Sequence, residues 1–139
     1  MKAFVLSAVS IVLAGILFCP MVMAAPSMPA DVQMVEPDPS LPKELSAFFG
    51  KWEGTGRMQY SLIVEKIDKE KASVYVWEYL SPETLAPGWA RYEAQVSKQG
   101  AKYKLQYSSR FGNCEVTLKG EGLNWSRSIS ESVRLKRVQ

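Results

Sequence analysis

Any chemistry in this chain has to be done without histidine, because none of its 139 residues is one. That removes serine–histidine and cysteine–histidine nucleophiles and every histidine metal site. No glycine-rich phosphate loop and no calcium loop is present. The acid–base groups left are carboxylates such as Glu53, Glu65, Glu78 and Glu93. Paired carboxylates can hydrolyse glycosides, but only at a set separation, and spacing along strands defines no such pair here. Their plain reading is that of solvated strand residues. Glu78 fits that reading least, since it shares its parity with Val74 and Val76, the face to be buried. A carboxylate there needs a partner or binds something polar; at a strand end it simply meets water. Cys114 has no histidine to activate it and reads as a small buried apolar residue. The chain is therefore read as a non-enzyme with no metal and no cofactor.

The aromatic residues point further. Tyr75, Trp77 and Tyr79 lie on one face of a strand whose other face is apolar too. A half-exposed sheet needs one apolar face, not two. Something must cover the second: a short helix, which is the first expectation, or a linker, a partner chain or a ligand. The ligand reading groups Tyr60, Trp77, Glu78, Tyr79, Trp89 and Tyr92 as a binding site for a small apolar or amphipathic molecule. The alternative makes the aromatic face an interaction surface for a protein or envelope partner, with no interior pocket.

Strands must position these residues. From Lys51 onward the hydrophobic period is two, as in Met58-Tyr60-Leu62-Val64, Ala72-Val74-Val76, Ala90-Tyr92-Ala94-Val96 and Tyr103-Leu105-Tyr107. Val116 with Leu118, then Leu123, Trp125, Arg127 and Ile129, then Val133 and Leu135 continue it. Such alternation marks strands with one buried and one wetter face. Short turn segments separate the runs, Gln99-Gly100, Gly112-Asn113 and Gly120 to Gly122 among them, and suit antiparallel hairpins. Ser81 to Gly88 is the exception, a longer loop or corner. About eight strands follow, so the fold class is all-β: an antiparallel up-and-down meander, closed in preference to an open sandwich because closure removes the edges.

Ahead of the strands, Leu41, Leu45 and Phe48 recur on one helical face, with Ser40 as the expected cap and Gly50 as the stop. A short helix, then Gly50-Lys51-Trp52 opening the first strand, then a meander ending in a basic strand: this arrangement resembles the lipocalin-like (calycin) β-barrels. In that family the tryptophan of a Gly-x-Trp motif packs across the closed end against an arginine of the last strand. The resemblance implies that Trp52 closes the barrel with Arg134 or Arg137, and that the domain leans towards small apolar ligands. The chain lacks that family's usual disulfide.

The N-terminus reads as an export signal. Lys2 precedes an apolar run from Ala3 to Phe18, Pro20 breaks it, and Val22 and Ala24 stand at the −3 and −1 positions of a small-residue cleavage site. Cys19 follows Phe18, too bulky for lipoprotein processing. The expected organisation is a signal peptide over 1–24, a Pro-rich linker over 25–40 and a β-barrel domain over 41–139. The protein is then periplasmic or secreted, with no stable membrane insertion after cleavage. Sixteen basic and fourteen acidic residues follow Ala24, a net charge of +2, too mild to argue for nucleic acid. The charge is uneven: −4 from Pro26 to Ser97 and +6 from Lys98 to Gln139. No particular protein partner is indicated.

Overall fold

The computed structural model describes residues 26–79, 86–128 and 131–139. The segment read as an export signal, Ile129 and most of the Ser81–Gly88 loop lie outside the described residues. One short helix, α1 (Lys43–Ser46), precedes eight strands: β1 (Gly50–Thr55), β2 (Gln59–Ile67), β3 (Lys71–Tyr79), β4 (Pro87–Gln99), β5 (Lys102–Ser109), β6 (Gly112–Lys119), β7 (Gly122–Ser128) and β8 (Glu131–Val138). Each strand pairs antiparallel with the next, and β1 pairs with β8 through Trp52↔Arg137 and Glu53↔Lys136. The sheet is a closed up-and-down barrel, so the open sandwich is excluded.

Alternation sets the interior. Leu62, Val64, Val74, Val76, Ala94, Leu105, Val116, Leu123 and Leu135 all point inward and are buried. A bulge between Val64 and Lys66 shifts the register of β2, which turns Ile67 inward as well. The helix is shorter than its apolar spacing predicts. Ser40 does not cap it; the Ser40 amide instead donates to Asp38 Oδ1 at 2.7 Å in a local turn, and Pro42 takes the cap position. Leu41, Leu45 and Phe48 are nevertheless all buried and plug one end of the barrel.

Trp52 is buried at that closed end, and its Nε1 donates to the Phe48 carbonyl at 2.9 Å. The Arg137 guanidinium lies 4.2 Å over its ring and donates to the carbonyls of Ala47 and Phe49. Gly50 makes room for it: its φ is +122°, and a Cβ there would meet Arg137 Nη1 at 2.5 Å. Arg134 does not share this position. It lies between the inward residues Val133 and Leu135, faces outward, and donates to the Lys119 carbonyl at 2.8 Å.

The Tyr75 part of the outer aromatic face is covered, not by the helix but by the linker. The first part of the Pro-rich linker, Pro26 to Val35, runs across the outside of β2, β3 and β4 as a strap. Trp89 Nε1 donates to the Ser27 carbonyl at 2.8 Å, and Arg91 Nη2 to the Asp31 carbonyl at 3.0 Å. The Gln33 amide donates to Glu65 Oε2 at 2.9 Å, and the Val35 amide to the Glu65 carbonyl at 2.8 Å. Ile63, Glu65 and Tyr75 point outward yet are buried. Glu65 is held there by Arg91 Nε at 3.0 Å and the Ser73 hydroxyl at 2.6 Å, the pairing a buried carboxylate requires.

Candidate functional site

The end opposite α1 is built differently from the packed interior. It is formed by the β1–β2 and β5–β6 turns, the end of β7, the start of β8 and the outer ends of β3 and β4. Here the inward positions change from aliphatic to aromatic and charged: Tyr60 on β2, Glu78 on β3, Tyr92 on β4, Tyr107 on β5, Trp125 and Arg127 on β7. The period-two pattern that buries Val74 and Val76 carries Glu78 inward with them, and only 8% of it is exposed. It does not lie in water at the strand end.

The rings are ordered by contact. Tyr60 and Trp125 pack with centroids 5.4 Å apart, and Tyr92 stacks on Tyr107 at 5.3 Å. Trp125 Nε1 donates to the Tyr107 hydroxyl at 2.7 Å, and the Tyr92 hydroxyl donates to Glu78 Oε1. Burial, then the Glu78 carboxylate, push the Tyr92 phenol up to about 12, so Tyr92 stays a donor at neutral pH. Burial likewise pushes the Tyr107 phenol well above its ordinary range and raises the Cys114 thiol. Arg127 lies 5.2 Å from the Phe111 ring and 5.7 Å from that of Trp125, and its charge is met by Glu131, with Nη2 2.7 Å from Oε2. Glu131 also accepts from the Tyr60 hydroxyl at 3.0 Å.

Two openings meet at this end. A cavity of about 60 Å³ sits at the rim, lined by Tyr60, Glu78, Trp125 and Arg127 with Trp77 and Tyr79. A larger groove of about 850 Å³ follows the junction of β4 and β5 past Tyr92, Tyr107, Cys114 and Arg127. It exists because the pairing of β4 with β5 ends at Gln95↔Gln106, while β4 continues to Pro87 and β5 to Ser109. The two strands splay, and the stacked tyrosines plug the seam from inside.

Of the residues grouped from sequence, Tyr60, Glu78 and Tyr92 point into this end, and Trp77 and Tyr79 reach its rim from the outer side of β3. Trp89 does not join them. It has the outward parity of Arg91, packs edge-on against Tyr75 and Trp77, and is fixed to the strap. Trp125, Arg127, Tyr107 and Phe111 belong to the site without having been grouped with it. Trp125 and Arg127 share the parity of Leu123, and Tyr107 that of Leu105; carrying core parity to the ends of these strands finds three of the four. Phe111 sits in a turn, where no period applies.

No family model matches the chain, and no curated protein does. Among solved structures, a point mutant of the fluorescent protein UnaG is similar over 67% of this chain and 97% of that one, at 12% identity and a TM-score of 0.40. The barrel assignment rests on the strand pairing within this chain.

Proposed function

We propose that this protein is an exported, non-enzymatic binding domain of the lipocalin-like type, which holds a small amphipathic molecule at the open end of its barrel. One observation carries the reading: inward-facing rings surround a buried carboxylate at the end where the sheet comes apart. Rings supply flat apolar contact, and a few fixed polar groups supply orientation, which is the usual composition of a small-molecule site. The filled interior argues for a shallow site. Trp52, Phe48, Leu62, Leu105 and Leu123 leave the lower barrel closely packed, so a ligand sits above Trp125. The alternative of an exposed aromatic face for a partner protein loses the Tyr75 part of its surface to the strap and keeps only Trp77 and Tyr79, at the rim.

The test uses the neutral dye Nile red on the exported protein, with its N-terminus sequenced first and expected at Ala25. Dye emission should rise on binding and quench tryptophan fluorescence. Trp77→Ala and Tyr79→Ala, at the rim, should each weaken binding several-fold with little change in melting temperature. Native mass spectrometry of freshly purified material should show a small co-purifying mass. Absence of dye binding, or binding untouched by both substitutions, defeats the reading. An intact Met1 on membrane-bound protein defeats export.

A further inference from the structure

The charges at the open end are not balanced alike. Arg127 has its carboxylate: Glu131 takes it through both Nε, at 2.9 Å, and Nη2, at 2.7 Å. Glu78 makes no ion pair among the described residues, although Arg127 lines the same cavity; its hydrogen-bond partner is the Tyr92 hydroxyl. A hydroxyl satisfies one lone pair and leaves the charge. Burying a carboxylate without a countercharge is costly, and the rings around it present π faces that attract cations. The small cavity at the rim touches Glu78, Tyr60 and Trp125 together. At about 60 Å³ it has room for roughly two waters' share of volume. That is the size of a primary ammonium group with its first methylene, and less than a trimethylammonium needs.

We propose that Glu78 is the anchor for a primary ammonium group, and that the ligand of this protein is an amphipathic primary amine. The ammonium enters the rim cavity beside Glu78, under the faces of Tyr60 and Trp125. The apolar body of the ligand extends outward past Trp77 and Tyr79. Arg127 does not repel the cation strongly, because Glu131 neutralises it at contact distance. The inference rests on the site proposed above, and its test separates the two.

Three probes of one shape serve: 2-phenylethylammonium, the neutral 2-phenylethanol and the anionic 3-phenylpropanoate, titrated calorimetrically into the full exported protein near neutral pH. The ammonium should bind at least tenfold more tightly than the alcohol, and the carboxylate most weakly. Glu78→Gln should abolish the preference for the ammonium over the alcohol; Glu78→Asp should keep most of it. Alcohol and ammonium of equal affinity overturn the amine anchor and leave the site standing. A preference that survives Glu78→Gln overturns it too. Binding of none of the three overturns both. The ranking on the unsubstituted protein decides the matter even if the Gln variant does not fold.

Discussion

Arg137 does two things at the closed end: it lies on the Trp52 ring, and it satisfies carbonyls that α1 leaves open. A cation over an indole face is worth about 0.5–2 kcal/mol, and hydrogen bonds from a charged donor about 1.5–3 kcal/mol. Trp52→Ala removes the stack, the Nε1 hydrogen bond to Phe48 and a fully buried ring, so it should cost about 3–5 kcal/mol in denaturant melts. Arg137→Ala should cost less, and the double variant should fall short of the sum by well over 0.5 kcal/mol; strict additivity would show that the two do not act together. Arg134→Ala should stay near neutral, as an outward surface change does. The tyrosines set a pH limit. Tyr75 and Tyr92 are each pushed from 10 to about 12, chiefly by burial. A folded-state pKa above the unfolded value gives stability that is whole below pH 10 and is lost as pH rises through 12. Melting temperature should therefore drop steeply across that window, and a flat profile there would contradict the burial of both phenols.

At the scale of elements, the strap is the test of what keeps the outer face dry. Arg91 ties Glu65 on β2 to the Asp31 carbonyl on the strap. Arg91→Ala leaves Glu65 buried without its cation, at a cost of about 1–3 kcal/mol. It should also free the strap: the Gln33 and Val35 amides lose protection in hydrogen exchange, and limited proteolysis cuts before Leu41 while the barrel stays whole. Continued protection of both amides would show that the apolar contacts alone hold the strap. Acid should act in the same direction. The Tyr75 hydroxyl beside Asp31 holds its carboxyl below the ordinary 3.8, so this part of the strap's stability is present above that pH and fades below it. These elements differ in how far the sequence exposes them. The eight strands and their inward faces follow from alternation, because side-chain parity and burial are the same fact in a strand. Trp77 and Glu78 were legible as odd for the same reason. The strap was legible only as one of four possible covers, because its polar contacts are made by backbone groups of Ser27, Asp31, Gln33 and Val35, which no residue type advertises. Proline content marked the segment as extended and could not say that it was docked. Trp89 was misassigned by nearness to the long loop, where its parity with Arg91 already pointed outward.

For the whole molecule, the decisive pairing is β1 with β8, which could be expected only from the general advantage of closing the edges and from a resemblance. Period-two runs are equally compatible with a sandwich; nothing local in Trp52 or Arg137 states which strands become neighbours. The open end was half legible: three of its inward residues could be grouped, while the splay of β4 from β5 depends on where pairing stops, which is a tertiary outcome. The closing contact has a further consequence, for the order in which the molecule forms. Arg137 reaches the carbonyls of Phe49 and Ala47, residues 88 and 90 positions earlier. Every hairpin from β1 to β8 can zip locally, but the Trp52 stack and the plugged end wait for the final strand. Loop closure over such a span comes with its full entropic cost before any contact returns it. Folding should accordingly be slow for a domain of this size, in the range of milliseconds to seconds. Substitutions at Arg137 should then speed unfolding far more than they slow folding, because the last residues to arrive are the latch and not the nucleus.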